Sequence, residues 1–326
     1  MIIVRSPLRV SLLGGGSDFS SFYKYRNGVV VSFALDKYIY ITINKLVETN
    51  DILIKYSKLE RVQNINRIQH PIIRAVLQRF ELKGIDISVS SDIPAGTGLG
   101  SSSSFTVGLL KSVSEYKGIN LSKADLAKIA CEIEIEDLKE PIGKQDQYSA
   151  SFGGINHFVF HQNGDVASLP LLGRDLLETH VTQCCLLLRI GTVRQSSSIL
   201  TDQSEKLNRG INLNLIDGLV DIAEKFCSKF PESVTELGSF LTESWRLKVR
   251  LADGITNSEI EGTLETAIKL GAKGGKLLGA GKSGYILLVF GDYSTRGEFI
   301  NQHSDKFVII LPRVDSEGCK VIFRSE

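Results

Sequence analysis

The segment Asp92–Ser104, with the sequence DIPAGTGLGSSSS, constrains the fold more than any other part of the chain. It joins Ile85–Val89, whose alternating apolar residues are typical of a strand, to Phe105–Tyr116, whose amphipathic pattern is typical of a helix. Glycines at alternate positions permit positive φ and let a ligand approach the main chain closely. The serines then fall at the predicted helix start, where hydroxyls and free N–H groups form an anion site. The alternative is a surface turn capped by a serine.

The balance of charge argues against a polyanionic partner. The 326 residues include 38 basic and 37 acidic side chains, for a net charge of +1, which provides no field to attract nucleic acid or an anionic membrane. No window approaches the roughly 18 apolar residues of a transmembrane helix, and the initial MIIVRSPLRV lacks a signal-peptide core. Five cysteines without CxxC spacing are typical of reduced thiols. We therefore expect a cytoplasmic protein without nucleic-acid or membrane partners.

The pattern of apolar residues predicts strands and helices in a chain long enough for two domains. Strands dominate the beginning of the chain, and helices follow a buried strand at Val181–Ile190. Polar and charged residues interrupt the pattern at Gly173–His180, so the domains are placed at 1–176 and 177–326. The first predicted strands are Ile2–Arg5, Arg9–Leu13, Val29–Ala34 and Tyr38–Asn44. The predicted late helices are Gln203–Phe230, Ser233–Leu251 and Asn257–Leu270.

A second glycine-rich loop, Gly271–Gly284, contains near matches to two nucleotide-binding motifs. Gly279–Gly284 fits GxGxxG, but a helix precedes it and a strand follows, the reverse of the dinucleotide-binding context. The same stretch imitates the end of a P-loop, whose first glycine would have to stand where this chain has Lys276. We reject both motifs, and the loop remains a backbone surface suited to closing over a phosphate or a sugar.

Acidic side chains crowd the predicted end of one helix, at Glu132, Glu134, Glu136, Asp137 and Glu140. Because acids oppose the helix dipole there, they form either a solvated face or a cation site. A histidine pair, His157 and His161, has no third ligand nearby, so we predict no zinc site. An anion site, an acidic helix end and a second glycine loop together suggest phosphoryl transfer.

Three motifs in order resemble those of the GHMP small-molecule kinase family. They are Pro94–Ser103, similar to the ATP-binding signature, Pro7–Asp18, similar to the substrate motif, and Lys276–Gly284, similar to the carboxyl-terminal glycine motif. The resemblance implies an α+β fold of two domains, the first similar to a ribosomal-protein domain and the second rich in helices. It also implies that ATP and the substrate bind in the cleft between them. A homodimer is left open.

The same resemblance assigns ATP and Mg²⁺ to particular residues. The residues expected at ATP are Pro94, Gly96, Thr97, Gly98, Leu99, Gly100, Ser101, Ser102 and Ser103. Mg²⁺ is expected on Ser102, with Ser101 as the alternative serine, and on Glu134. Glu134 precedes Asp146 by twelve positions, the spacing that sugar kinases of the family use, while Glu132 and Glu136 are its competing neighbours.

Catalysis is assigned to Asp146 and Arg9. Gly143–Gln147 resembles the GxxDQ segment of sugar kinases, whose aspartate lies against the accepting hydroxyl. Asp146 is then either a general base or a group that orients the hydroxyl and offsets charge. Arg9 matches a basic residue that clamps the γ-phosphate to this aspartate, with Arg5 as the alternative.

The substrate motif resembles that of the D-glycero-D-manno-heptose 7-phosphate kinases. Galactokinases have a Glu–His pair where this chain has Gly15 and Gly16, and only Asp18 remains. The resemblance implies phosphorylation of the anomeric C1 hydroxyl, giving a 1,7-bisphosphate for nucleotide-activated heptose and surface polysaccharide. The expected substrate-binding residues are Gly14, Gly15, Gly16, Ser17, Asp18, Gly143, Gly279, Gly281 and Lys282.

A sugar phosphorylated at its far end requires a second anion site. The segment Gly191–Ser198 offers a guanidinium and hydroxyls before a predicted helix, so Arg194 and Ser196 are the candidates. An exposed turn with a capping serine is the alternative. Other functions left open are an L-fucokinase, a catalytically inactive ligand sensor and an RNA-binding protein, the last disfavoured by the charge balance.

Overall fold

The chain forms two β-sheets, each covered by helices, so the predicted α+β class is confirmed. The computed structural model describes residues 1–191, 197–229 and 232–325. The strands are β1 Ile2–Leu13, β2 Gly28–Lys45, β3 Ile52–Lys55, β4 Leu59–Val62, β5 Ile85–Ser91, β6 Ile155–Phe160, β7 Val166–Leu169, β8 Cys185–Ile190, β9 Ala272–Leu277, β10 Gly284–Phe290, β11 Ile309–Ile310 and β12 Lys320–Arg324. The helices are α1 Ser20–Tyr23, α2 Pro71–Phe80, α3 Ser101–Tyr116, α4 Lys123–Cys131, α5 Gln145–Phe152, α6 Arg174–Cys184, α7 Ser197–Asn208, α8 Leu213–Ser228, α9 Val234–Lys248, α10 Ser258–Lys269 and α11 Tyr293–His303.

The first sheet is built on the antiparallel pair β1 and β2. Its order is β12-β1-β2-β5-β3-β4, with β6 and β7 continuing from β2, and β3 runs parallel to β5. The two short strands predicted at each of β1 and β2 are joined in the structure. Pro7 interrupts the predicted pattern of β1, yet the ladder passes it with a register shift between Pro7 and Leu8. A proline lacks an N–H, so such an irregularity lets a strand contain it.

Helix α3 is the central helix of the first half. Its hydrophobic residues are buried against the sheet, and Gly108 lets the helix approach it closely, because a Cβ there would lie 3.1 Å from the Cβ of Ser6. Close to its beginning, the Ser104 hydroxyl donates to the Ser6 carbonyl over 3.1 Å. These two contacts hold α3 against β1, on which Ser6 lies.

The second sheet is antiparallel, in the order β11-β8-β10-β9. The second half of the chain differs from the predicted elements in three places. Val181–Cys184 ends helix α6 instead of starting a strand, and strand β9 lies within the predicted loop Gly271–Gly284. The single helix predicted over Gln203–Phe230 is two helices, because Gly210 and Asn212 both have positive φ. An α-helix requires negative φ at each of its residues, so residues in the left-handed conformation interrupt it.

The two halves of the chain are in direct contact. Strand β12, from the end of the chain, pairs with β1 in the first sheet, and Lys276 on β9 donates to the Leu12 carbonyl over 2.9 Å. Helix α6 crosses the proposed boundary between residues 176 and 177, which stays a prediction. Among the described residues, no helix is both long enough and apolar enough to cross a membrane.

Candidate active site

A cavity of about 740 Å³ lies where the two halves meet. Both glycine loops, the amino-terminal motif and the start of α5 contribute to it, so the three predicted motifs are brought together. The described residues that line it are Arg9, Ser11, Gly15, Gly16, Asp18, Phe19, Ala95, Gly96, Gly98, Gly100, Ser101, Ser102, Ser103, Glu134, Glu140, Pro141, Ile142, Gly143, Gln145, Asp146, Leu200, Gln203, Lys248, Gly279 and Ala280.

The first glycine loop leads directly into the amino terminus of α3. Gly96, Gly98 and Gly100 all have positive φ, and Gly100 immediately precedes the helix. Ser101–Ser103 face the cavity, so the free N–H groups of the first turn are available to an anion. The side chains of Thr97 and Leu99 are fully buried instead.

Pro94 is exposed and is not among the residues lining the cavity. Thr97 and Leu99 point into the protein, so only their backbone remains as a potential contact for ATP. The predicted contact of Thr97 and Leu99 with ATP is thereby limited to their main chain, and the assignment of Pro94 to ATP stays a prediction. Gly96, Gly98, Gly100 and the serines stay the predicted phosphate contacts.

Asp146 and Arg9 form a two-point ion pair at the centre of the cavity. Arg9 Nε donates to Asp146 Oδ1 over 2.7 Å, and Arg9 Nη2 donates to Oδ2 over 2.8 Å. Arg9 Nη1 donates to the Gly98 carbonyl over 2.6 Å, which links the pair to the first loop. Such parallel bonds fix both planes and are stronger than bonds between neutral groups. Arg5 pairs with Asp315 and Glu317 at a distance from the cavity, so Arg9 is the arginine in contact with Asp146.

Two further side chains position Asp146. Gln145 Nε2 donates to Asp146 Oδ1 over 3.1 Å, and Gln145 Oε1 accepts from the Ser11 hydroxyl over 2.8 Å. Asp18 accepts from the backbone N–H of Gln145 and of Gly16, both over 3.0 Å. Burial raises the pKa of Asp18, and the nearby charge of Asp146 raises it further. Asp18 therefore joins the amino-terminal motif to the start of α5 while facing the cavity.

Glu134 lies in a π-helical turn, Glu132–Asp137, that continues α4. Its side chain is 1% exposed, Oε2 accepts from Gln147 Nε2 over 2.6 Å, and Oε1 lies 3.5 Å from the Ser102 hydroxyl. Burial raises its pKa to about 7. Glu132 instead pairs with Arg79, so Glu134 is the buried carboxylate beside the serines.

The arrangement of Ser102 and Glu134 fits Mg²⁺. Magnesium prefers hard oxygen ligands and is usually held by one or two carboxylates together with waters and substrate phosphates. Here a carboxylate and a hydroxyl face the proposed phosphate site, and the cation would relieve the cost of a buried negative charge. Ser101 makes no such approach to Glu134 among the hydrogen bonds of the described residues.

The amino-terminal loop is shaped by residues that do not all face the cavity. A Cβ on Gly14 would lie 1.8 Å from the Val29 carbonyl oxygen, so only glycine fits there. The Ser17 hydroxyl accepts from the Val29 N–H over 3.0 Å and lies 2.8 Å from the Gly14 carbonyl. Gly15, Gly16 and Asp18 are left to line the cavity.

The second glycine loop packs directly against the first. A Cβ on Gly279 would lie 2.4 Å from the Cα of Gly98, and Gly279 has a φ of 76°. Gly281 packs on Ile255 outside the cavity. Lys282 is exposed, and its Cε lies 3.3 Å from the position of a Cβ on Gly254, so its side chain is not at the predicted substrate site.

Lys248 and Gln203 are among the cavity residues that were not predicted from the sequence. Lys248 ends helix α9 and donates to the Gly279 carbonyl over 2.5 Å, and Gln203 extends from α7 towards Gly16. Both belong to helices whose repeating pattern gives no sign of a functional position. Arg194 and Ser196, the predicted distal-phosphate residues, lie outside the described part of the chain.

Comparison with known proteins agrees with this geometry. The family model for the GHMP kinases N terminal domain matches residues 66–154, and that for the GHMP kinases C terminal region matches residues 222–309. A D-glycero-alpha-D-manno-heptose 7-phosphate kinase from Campylobacter jejuni is 30% identical over 299 residues, covering 87% of this chain and 88% of that protein. A galactokinase from Thermotoga neapolitana is 32% identical over 165 residues, covering 48% of this chain and 45% of that protein.

A solved structure has the same fold over the whole chain. It is described as a D-glycero-D-manno-heptose 1-phosphate kinase from Bacteroides thetaiotaomicron, with a TM-score of 0.80, 23% identity and 100% coverage of both chains. With family matches in both halves and a relative similar over most of the length, this chain belongs to the GHMP kinase family and is an ATP-dependent sugar phosphotransferase.

Proposed function

We propose that this kinase transfers the γ-phosphoryl group of ATP to the anomeric C1 hydroxyl of D-glycero-D-manno-heptose 7-phosphate. The observation that carries the proposal is the ion pair of Asp146 and Arg9, which stands between the ATP loop and the Gly15–Asp18 loop. The absence of a galactokinase-type Glu–His pair at Gly15 and Gly16 supports a different sugar. The heptose 7-phosphate kinase relative supports this particular substrate.

In this proposal the C1 oxygen attacks the γ-phosphorus as the bond to the bridging oxygen of ADP breaks. Asp146 accepts a hydrogen bond from the attacking hydroxyl, whose proton leaves to Asp146 or to solvent. Three N–H donors from Arg9 and Gln145 already bind this carboxylate and fix its orientation in the cavity. We therefore assign Asp146 mainly to orienting the hydroxyl, a role sufficient for the loose transition state of phosphoryl transfer.

The remaining groups hold the donor in line with this hydroxyl. The N–H groups at the start of α3 bind phosphate oxygens, and Arg9 spans from Asp146 to the Gly98 carbonyl of the loop. Ser102 and Glu134 would hold Mg²⁺, which when bound neutralises phosphate charge. The two glycine loops pack against each other at Gly98 and Gly279 beside this site.

An ADP-release assay over a panel of sugars tests the substrate. The panel contains D-glycero-D-manno-heptose 7-phosphate, the unphosphorylated heptose, L-fucose and galactose, and phosphorus NMR identifies the position of the new phosphate. We expect the highest kcat/KM on the heptose phosphate and a 1,7-bisphosphate product. Preference for fucose, or phosphorylation away from C1, would contradict the proposal and leave the family assignment intact.

Replacing Glu134 by glutamine should weaken Mg²⁺ without weakening the fold. We expect the Mg²⁺ concentration for half-maximal activity to rise by about tenfold or more, because an anionic oxygen ligand is lost. The free energy of unfolding without Mg²⁺ should be unchanged or higher, since an amide avoids the cost of a buried charge and still accepts from Gln147. Magnesium titration and urea unfolding measure the two effects. An equal Mg²⁺ requirement would remove Glu134 as the ligand, and Glu136→Gln, at an exposed neighbour, is the control.

Gln203 is expected to contribute to sugar binding. Gln203 is 6% exposed, and its Nε2 lies 3.0 Å from the position of a Cβ on Gly16. Its side-chain amide has no hydrogen-bond partner among the residues that the structure describes. A buried amide that faces a cavity gains a partner when a hydroxyl binds. Gln203→Leu should raise KM for the sugar about tenfold and leave the Kd for ATP unchanged. Gln302→Leu, at an exposed position of α11, is the control, and an unchanged KM would exclude the contact.

A further inference from the structure

Lys248 is a cation of the cavity that lies outside the motifs described above. It is the last residue of α9 and faces the cavity beside Gly279, at the point where the two glycine loops touch. Its Nζ donates to the Gly279 carbonyl over 2.5 Å, which uses one of three N–H donors. The ammonium group thus lies at the junction of both loops with two donors remaining.

The charges around the cavity make this cation notable. Among the described residues that line it, Arg9 and Lys248 are the basic side chains. Both oxygens of Asp146 are engaged by Arg9, which leaves that pair without net charge. Lys248 forms no ion pair in the described part of the chain. Among the described residues that line the cavity, Lys248 is therefore the cation that is not paired with a carboxylate.

The surroundings of Lys248 indicate where that charge acts. The charges of Arg9 on β1 and Asp146 on α5 both act on Lys248, and Lys248 also interacts with the charge of Lys276 on β9. Burial lowers the pKa of Lys248 to about 8, with a further lowering by Arg9 and an opposing effect of Asp146. A lysine that burial makes costly to keep charged gains most when an anion binds beside it, because the anion replaces the lost solvation.

We infer that Lys248 contacts the terminal phosphate of ATP and stabilises the phosphoryl group during its transfer to the sugar. Its position at the loop junction, close to the Asp146–Arg9 pair, corresponds to the reacting end of the nucleotide. A point charge suits a group whose negative charge is spread over three oxygens. Its hydrogen bond to the Gly279 carbonyl holds the ammonium group at the second glycine loop. The inference rests on the ATP-dependent activity proposed above and not on the identity of the sugar.

Nucleotide binding without sugar tests this role independently of the substrate. Calorimetry would compare the β,γ-imido analogue of ATP with ADP, both with Mg²⁺, on the wild-type protein and on Lys248→Met. We expect the variant to bind the ATP analogue about ten- to a hundredfold more weakly, the range for a lost charge-assisted bond. Its affinity for ADP should change by less than about threefold, because ADP lacks the contacted group. Equal weakening of both, or of neither, would overturn the inference.

Two variants separate the charge of Lys248 from its bond to the loop. Lys248→Arg retains the charge and should keep the preference for the ATP analogue over ADP. Lys248→Gln retains a donor for the Gly279 carbonyl without the charge, and should behave like the methionine variant. If glutamine restores the preference, Lys248 is a loop-positioning residue and the inference is wrong. Lys269→Met, at an exposed position of α10, controls for loss of a distant charge.

Discussion

Asp146→Asn should lower kcat by about a thousandfold and leave the Kd for ATP within about threefold of wild type. Orientation of the acceptor and the electrostatic effect of one group typically contribute 10²- to 10⁴-fold. The loss here is larger than removal of a single hydrogen bond, because asparagine presents an N–H where Arg9 and Gln145 already donate. The N–H of the asparagine would then face an N–H of Arg9 or Gln145. The sugar hydroxyl that accepts the phosphoryl group would lose the carboxylate that orients it. Steady-state kinetics and nucleotide calorimetry measure the two quantities.

The control for this variant is Asp137→Asn. Asp137 is an exposed acid of the Glu132–Glu140 segment and does not line the cavity, so the kcat of this variant should stay within about twofold of wild type, the effect of an ordinary surface change. Thermal unfolding shows whether the Asp146 variant is folded at the assay temperature. A folded Asp146→Asn protein with near-normal kcat would remove Asp146 from the catalytic role.

Gly279→Ala should disrupt the contact between the two glycine loops. The added Cβ would lie 2.4 Å from the Cα of Gly98, at a residue with a φ of 76°, so neither a rotamer change nor a small shift relieves it. Left-handed strain and overpacking together are expected to lower the free energy of unfolding by about 3 kcal/mol. Separation of the loops would also reduce kcat/KM for ATP by about a hundredfold or more, since positioning errors near 1 Å cost that much. Urea unfolding and steady-state kinetics are the measurements.

Two other glycines provide matched controls for this substitution. Gly262 in α10 and Gly297 in α11 have nothing within 4 Å of an added Cβ. Alanine has the higher helix propensity, so Gly262→Ala and Gly297→Ala should stabilise the protein by up to about 1 kcal/mol. If Gly279→Ala resembles them in stability and activity, the two loops do not need their close contact.

Local parts of the site could be predicted from the sequence because their physical signals are local. Strand Ile85–Ser91, the loop that follows and helix α3 lie where the apolar pattern and the glycines place them. Ser122 caps α4 through its hydroxyl, which accepts from the Asp125 N–H, the local role that serine commonly has at a helix start. The pairing of Asp146 with Arg9 was available only through the family resemblance, since 137 positions separate them.

The remaining features depend on packing that one sequence pattern does not contain. In the sequence, Lys248 and Gln203 are ordinary polar positions of amphipathic helices. They reach the cavity only because α9 and α7 pack beside it in the folded protein. Glu134 was singled out among similar acids by the family spacing, but its burial follows from a π-helical turn. In that turn the Leu138 N–H donates to the Ile133 carbonyl, five residues earlier. The side chains therefore point in other directions than the 3.6-residue period of an α-helix predicts.

The position of strand β12 has a consequence for biosynthesis. Arg9 lies on β1, whose outer neighbour in the sheet is β12, at residues 320–324. On the ribosome, the amino-terminal half therefore emerges long before this partner of β1 exists. Until then β1 is an exposed sheet edge, open to pairing with other nascent chains. Completion of the catalytic half thus waits for the synthesis of residues 320–324, so a product that stops before them lacks the strand that protects this edge.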